Sequence, residues 1–101
     1  MGTRIELHEE LIKILGSRNV YFQPPENLRL SYPAIIYERT GLPVVRADNE
    51  SYLDWHRYQV IIVDRDPDSP LVDTLAKFPH TRFVRHYSTE GFNHDVFEIT
   101  Y

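Results

Sequence analysis

The run Tyr58-Gln59-Val60-Ile61-Ile62-Val63 constrains this chain more than any other segment. It is rich in β-branched and aromatic residues, which favour strands. Both faces of such a strand are mostly apolar: Tyr58, Val60 and Ile62 on one side, Ile61 and Val63 on the other. A half-exposed strand alternates apolar and polar residues, so this one predicts a central strand covered on both sides. The rest of the chain must supply that cover.

Two segments read as helices. Thr3 and Glu6 stand in capping-box spacing, and Leu7, Leu11, Ile14 and Leu15 follow on one stripe. Gly16 sits where a left-handed residue ends a helix. Further on, Ser69-Pro70 is an N-cap followed by a first-turn proline, and Leu71, Val72, Leu75 and Ala76 form a short amphipathic face ending near Phe78-Pro79. Strands are predicted at 20–23, 34–39, 82–87 and 95–101, with a further extended piece at 44–47. Pro24-Pro25, Gly41, residues 48–51 and Gly91 mark the breaks. Short, hairpin-like connections imply mainly antiparallel pairing. The expectation is one α+β domain over residues 1–101, with a mostly antiparallel twisted sheet and an N-terminal and a second short helix packed on it. Two short helices cover one face. Ile61 and Val63 need other cover, and a neighbouring subunit is expected to supply it.

Size and composition bound the function. A chain of 101 residues suits one domain and is too short for a large enzyme with a separate substrate domain. Without cysteine, disulfides, thiolate metal sites and cysteine nucleophiles are excluded. The net charge of −4 speaks against tight nonspecific binding to nucleic acid. Nine of the eleven cations are Arg, the better residue for planar pairing at an interface, although compositional bias gives the same count. Aromatics at 13% fit either a ring-rich core or an interface. The first ten residues lack the apolar run of a secretory leader, and no stretch approaches the ~20 apolar residues of a membrane span.

Signals for catalysis or metal binding are weak. In Asp64-Arg65-Asp66-Pro67-Asp68-Ser69 three Asp alternate as in a calcium loop, but the sixth position is Ser69 rather than Gly and the twelfth is Leu75 rather than Glu. A strand-to-helix turn explains the same residues. His86 and His94 could face each other across the last hairpin and hold zinc with Asp95, or could be ordinary strand residues. Tyr52, Trp55 and Tyr58, with His56 and Arg57 between them, have the make-up of a base-stacking platform, which the acidic total disfavours. No phosphate loop or nucleophile elbow is present.

Several segments together resemble a known family: Tyr32-Pro33-Ala34-Ile35-Ile36-Tyr37, Ala47-Asp48-Asn49, Arg57-Tyr58-Gln59-Val60 running into the Asp64–Ser69 turn, and Arg85-His86-Tyr87 with Asn93-His94-Asp95-Val96-Phe97. They are similar to the tail-completion, or tail-terminator, proteins of long-tailed bacteriophages, and the likeness spans residues 32–101. The resemblance implies a virion protein made in the host cytoplasm and placed at the head–tail interface. It implies a homo-oligomer, a six-fold ring joining the tail-tube protein to the head-connector protein. DNA would pass through without sequence-specific binding, and neither catalysis, a cofactor nor a membrane is implied. Candidate interface residues are Trp55, Arg57, Arg65, Arg82, Arg85 and Tyr87; Asp64, Asp66 and Asp68 are candidate lumen residues. The alternatives are a small protein-binding or accessory module, another phage minor capsid or connector protein, and a metal-dependent enzyme using His86, His94 and the acidic turn.

Overall fold

The computed structural model describes residues 2–41 and 56–101. Helix α1 (Arg4–Leu15) leads into strand β1 (Val20–Phe22), followed by β2 (Ala34–Gly41), β3 (Arg57–Asp64), helix α2 (Pro70–Ala76), β4 (Thr81–Thr89) and β5 (Phe92–Thr100). The fold is α+β, with one five-stranded sheet in the order β1-β2-β3-β5-β4. The β2–β3, β3–β5 and β5–β4 pairs are antiparallel, while β1 pairs parallel with β2. The predicted strand at 44–47 lies outside the described residues.

Local chemistry sets the element ends. The Thr3 hydroxyl accepts from the Glu6 amide, and the Glu6 carboxylate accepts from the Thr3 amide, closing the capping box. Those hydrogen bonds hold the Glu6 carboxyl below its ordinary range. Gly16 ends α1 at φ 79°, a conformation a side chain would strain, and its amide donates to the Ile12 carbonyl. Ser69 caps α2 through the Leu71 amide. The β4–β5 connection needs only two residues, Glu90 at φ 53° and Gly91 at φ 80°. Two consecutive positive φ values mark the tight turn whose twist matches that of paired strands.

The core lies between the helices and one face of the sheet. Leu7, Leu11 and Leu75 bury fully against Ile35 and Tyr37 of β2, Tyr58, Val60 and Ile62 of β3, and Phe97 and Ile99 of β5. Alternation places Ala34, Ile61, Val63 and Val96 on the second face. There the expectation of cover from a neighbouring subunit needs correction for Val63. Ala34, Val63 and Val96 are already closed within the single chain, at 0, 3 and 2% exposure, while Ile61 is half-buried. Parallel β1 and β2 cannot be joined by a tight turn. Their connection, residues 23–33, sets Pro24, Leu28 and Leu30 across a groove from Ile36 and Ile61. Tyr32 then meets Phe92 at 4.3 Å between ring centres.

Leu11 is fully buried in the core that joins α1, α2 and the sheet, so its truncation leaves a cavity there. Leu11→Ala is expected to lower unfolding stability by about 2–5 kcal/mol in urea titration, without changing the secondary structure seen by circular dichroism.

Candidate functional site

The strongest candidate is the outer strand β4. Among the described residues it pairs only with β5, and every residue from Arg82 to Thr89 is exposed. Phe83 stands 48% exposed, Val84 43% and Tyr87 37%. Three large apolar side chains are thus exposed within five residues of an edge strand, the feature that marks a candidate interaction surface. A bulge explains why both faces of β4 carry them. Phe83 lies opposite Phe97 and Arg85 opposite Val96, which leaves Val84 as an extra residue. Phe83 meets the core ring of Phe97 edge-on at 5.4 Å, so it belongs to the helix-covered face. Beyond the bulge, Arg85 and Tyr87 belong to the second face.

On that second face β3, β4 and β5 present three guanidinium groups against one carboxylate. Arg82 reaches Glu98 at 3.4 Å, and Arg57 lies 4.0 Å from the same oxygen. The buried Arg57 Nε has no hydrogen-bond partner. Among the described residues Arg85 makes no ion pair, and it lies 5.3 Å from the centre of the Tyr87 ring. Tyr87 in turn stacks on His94 at 4.7 Å and 8°. Near the hairpin turn a second stack forms, with Arg65 5.1 Å from the Phe92 ring and Tyr32 on the same ring. The sheet thus gathers Arg57, Arg82, Arg85 and Tyr87 from the predicted interface set, and places Arg65 at its end. Trp55 lies outside the described residues. Phe83, Val84, Phe92 and Glu98 were missed by sequence reasoning. The signal was the run Arg82-Phe83-Val84-Arg85, which fits no two-residue period.

The acidic turn has a local explanation. The Asp64 carboxylate accepts from the Asp66 amide at 3.1 Å, and the Asp66 carboxylate from the Asp68 amide at 2.9 Å. Such side-chain-to-backbone bonds shape a turn. Here they lead the chain from β3 to the Ser69 cap.

The histidines do not converge either. His86 lies opposite Asp95, and His94 opposite Tyr87. Alternation puts the two imidazoles on opposite faces of the sheet, so they cannot share an ion. His86 Nδ1 instead meets the buried Asp95 carboxylate at 2.7 Å and ties the edge strand to its neighbour. Among the described residues no three His, Asp or Glu side chains gather as a metal site, and no helix is long and apolar enough to cross a membrane. Tyr58, proposed as a stacking residue, is buried in the core at 3% exposure.

One polar cluster lies under α1. The hydroxyl of the buried Tyr37 accepts from Arg4 Nη1 at 3.2 Å and lies 2.6 Å from His8 Nδ1. With its oxygen receiving the Arg4 proton, the hydroxyl donates to an unprotonated His8 nitrogen. Burial pushes the Tyr37 hydroxyl up from its ordinary value. Burial and the Arg4 charge push His8 down. The cluster fastens the helix to the sheet.

Comparison with family models, curated proteins and solved structures finds no match.

The lowered His8 value gives a pH dependence of known sign. The unfolded chain binds this proton more readily than the folded one, so stability falls as pH drops below about 6.5 and levels off below the folded value. Above that window the loss is absent. His8→Gln keeps an acceptor and removes the titration. Its melting temperature is expected to fall less than that of the wild type between pH 7 and pH 5, as measured by calorimetry.

Proposed function

We propose that this chain is a structural assembly subunit, a tail-terminator or tail-completion protein of a long-tailed bacteriophage. Copies of it would form a ring, expected to be six-fold, that joins the tail tube to the head connector and lets DNA pass. The phage assignment rests on the family resemblance of residues 32–101. The assembly reading rests on one observation, the nine-residue edge strand β4 with Phe83, Val84 and Tyr87 exposed. A long apolar edge is a hazard for a solitary protein unless a fixed partner completes it. Arg85, which has no ion pair among the described residues, and the Arg82–Glu98 pair supply the charges that fix register and partner choice at such a contact.

Arg57 and Arg82 both approach Glu98, which sets their guanidinium groups side by side on the second face. A strand with this edge can also accept an extended segment of an unrelated protein, which is the binding-module alternative. Light scattering on a sizing column separates the two. The wild type is expected to run as a hexamer or to grow with concentration. Val84→Ser with Tyr87→Ser is expected to shift it towards monomer while changing unfolding stability by less than about 1 kcal/mol, because both side chains are exposed. A wild type that stays monomeric at every concentration contradicts the ring.

A further inference from the structure

A surface complementary to β4 lies on the other half of the sheet. The connection between β1 and β2 stands away from the second face and leaves an open groove of about 340 Å³. Ile36 and Ile61 line it from the sheet, and Pro24 and Leu28 from the connection. Leu28 is itself 44% exposed. Glu26 and Glu38 also line the groove, and both are exposed. Neither carboxylate forms an ion pair among the described residues.

The groove and β4 are opposites in chemistry. The groove is apolar and edged with two carboxylates. The strand is apolar and flanked by Arg82 and Arg85, with no acidic residue from Thr81 to Thr89. They are also apart in space, because β2 and β4 are separated in the sheet by β3 and β5. One molecule cannot satisfy its own groove with its own edge strand.

We propose that the groove is the socket for β4 of a second copy of this chain. This rests on the assembly reading above and names both sides of its contact. Val84 and Tyr87 of one copy cover Ile36, Ile61 and Leu28 of the next, and Arg85 meets Glu26 and Glu38. Because the two surfaces differ, the contact is head-to-tail. Each copy offers one edge and one groove, and repetition closes a ring when the rotation allows. A symmetric pair of β4 strands would instead set Arg beside Arg and stop at two copies.

Charge reversal tests both surfaces, with mass measured by sedimentation velocity and folding checked by circular dichroism. The three residues changed are exposed, so the fold is expected to survive each change. Arg85→Glu on the edge, and Glu26→Lys with Glu38→Lys in the groove, are each expected to weaken self-association about tenfold. The chain carrying all three changes is expected to assemble like the wild type. So is an equimolar mixture of the edge variant and the groove variant, because in an alternating ring every contact again joins opposite charges. If the edge variant fails to assemble and the groove variant assembles normally, the socket lies elsewhere and only this proposal falls. It also falls if neither variant changes assembly, or if the mixture stays apart. A wild type that is monomeric at every concentration overturns both the socket and the ring.

Discussion

Strand β3 carries apolar side chains on both faces, and the rest of the molecule is arranged around that fact. Tyr58, Val60 and Ile62 must be closed on one side and Ile61 and Val63 on the other. Flanking by β2 and β5 satisfies its backbone, and α1 and α2 close one side. The remaining side accounts for the unusual start of the sheet. A hairpin between β1 and β2 would have left Ile36 and Ile61 bare. Parallel pairing forces a long connection, and the connection supplies Pro24, Leu28 and Leu30 as a partial lid. The cover is incomplete, and what remains open is the groove.

The same arrangement leaves β4 outermost. Edge strands in soluble proteins are commonly protected by bulges and by cationic side chains. Both devices are present here, the bulge at Val84 and the guanidinium groups at Arg82 and Arg85. A purely protective edge, however, has no use for Phe83, Val84 and Tyr87 exposed beside them. Protection and recognition are compatible when the partner is acidic. Arginines repel an identical edge and attract a carboxylate-lined surface, so the edge is closed to indiscriminate pairing and open to one kind of contact.

What the sequence made legible was whatever depended on neighbours along the chain. The Thr3–Glu6 capping box, the Gly16 stop, the Ser69-Pro70 start and the turn at Gly91 all use partners within a few residues, and all are present as predicted. Antiparallel pairing of β4 and β5 followed from the short turn at Gly91, whereas the pairing of β3 with β5 joins strands separated in sequence by α2 and β4. The parallel β1 strand did not follow, because three residues carry no periodicity and parallel pairing leaves no local mark. Nor did the closure of Val63 within its own chain, because burial on the second face depends on residues far apart in sequence. The histidine geometry failed for a third reason. The length of the turn decides whether His86 meets His94 or Asp95: the two-residue turn at Glu90-Gly91 sets His86 opposite Asp95, a turn longer or shorter by one residue would not, and the sequence marked only a loop around Gly91. Among the exposed apolar residues of β4, Phe83 was hidden because an aromatic in a strand reads equally well as core.

The net charge of −4 bears on assembly as well as on solubility. Two copies of an acidic chain repel one another at long range, and the repulsion is averaged over most orientations. An orientation that brings a basic strand towards an acidic groove escapes it. With β4 carrying no acidic residue and the groove edged by Glu26 and Glu38, the proposed contact is the geometry in which whole-molecule repulsion gives way to local attraction. Salt therefore acts in two directions. It weakens the background repulsion, and it also screens the exposed Arg–Glu contact, whose strength depends on how completely Val84 and Tyr87 shut out water around it. The apolar side chains of β4 are then more than buried area: by excluding solvent they determine how much the neighbouring charges are worth.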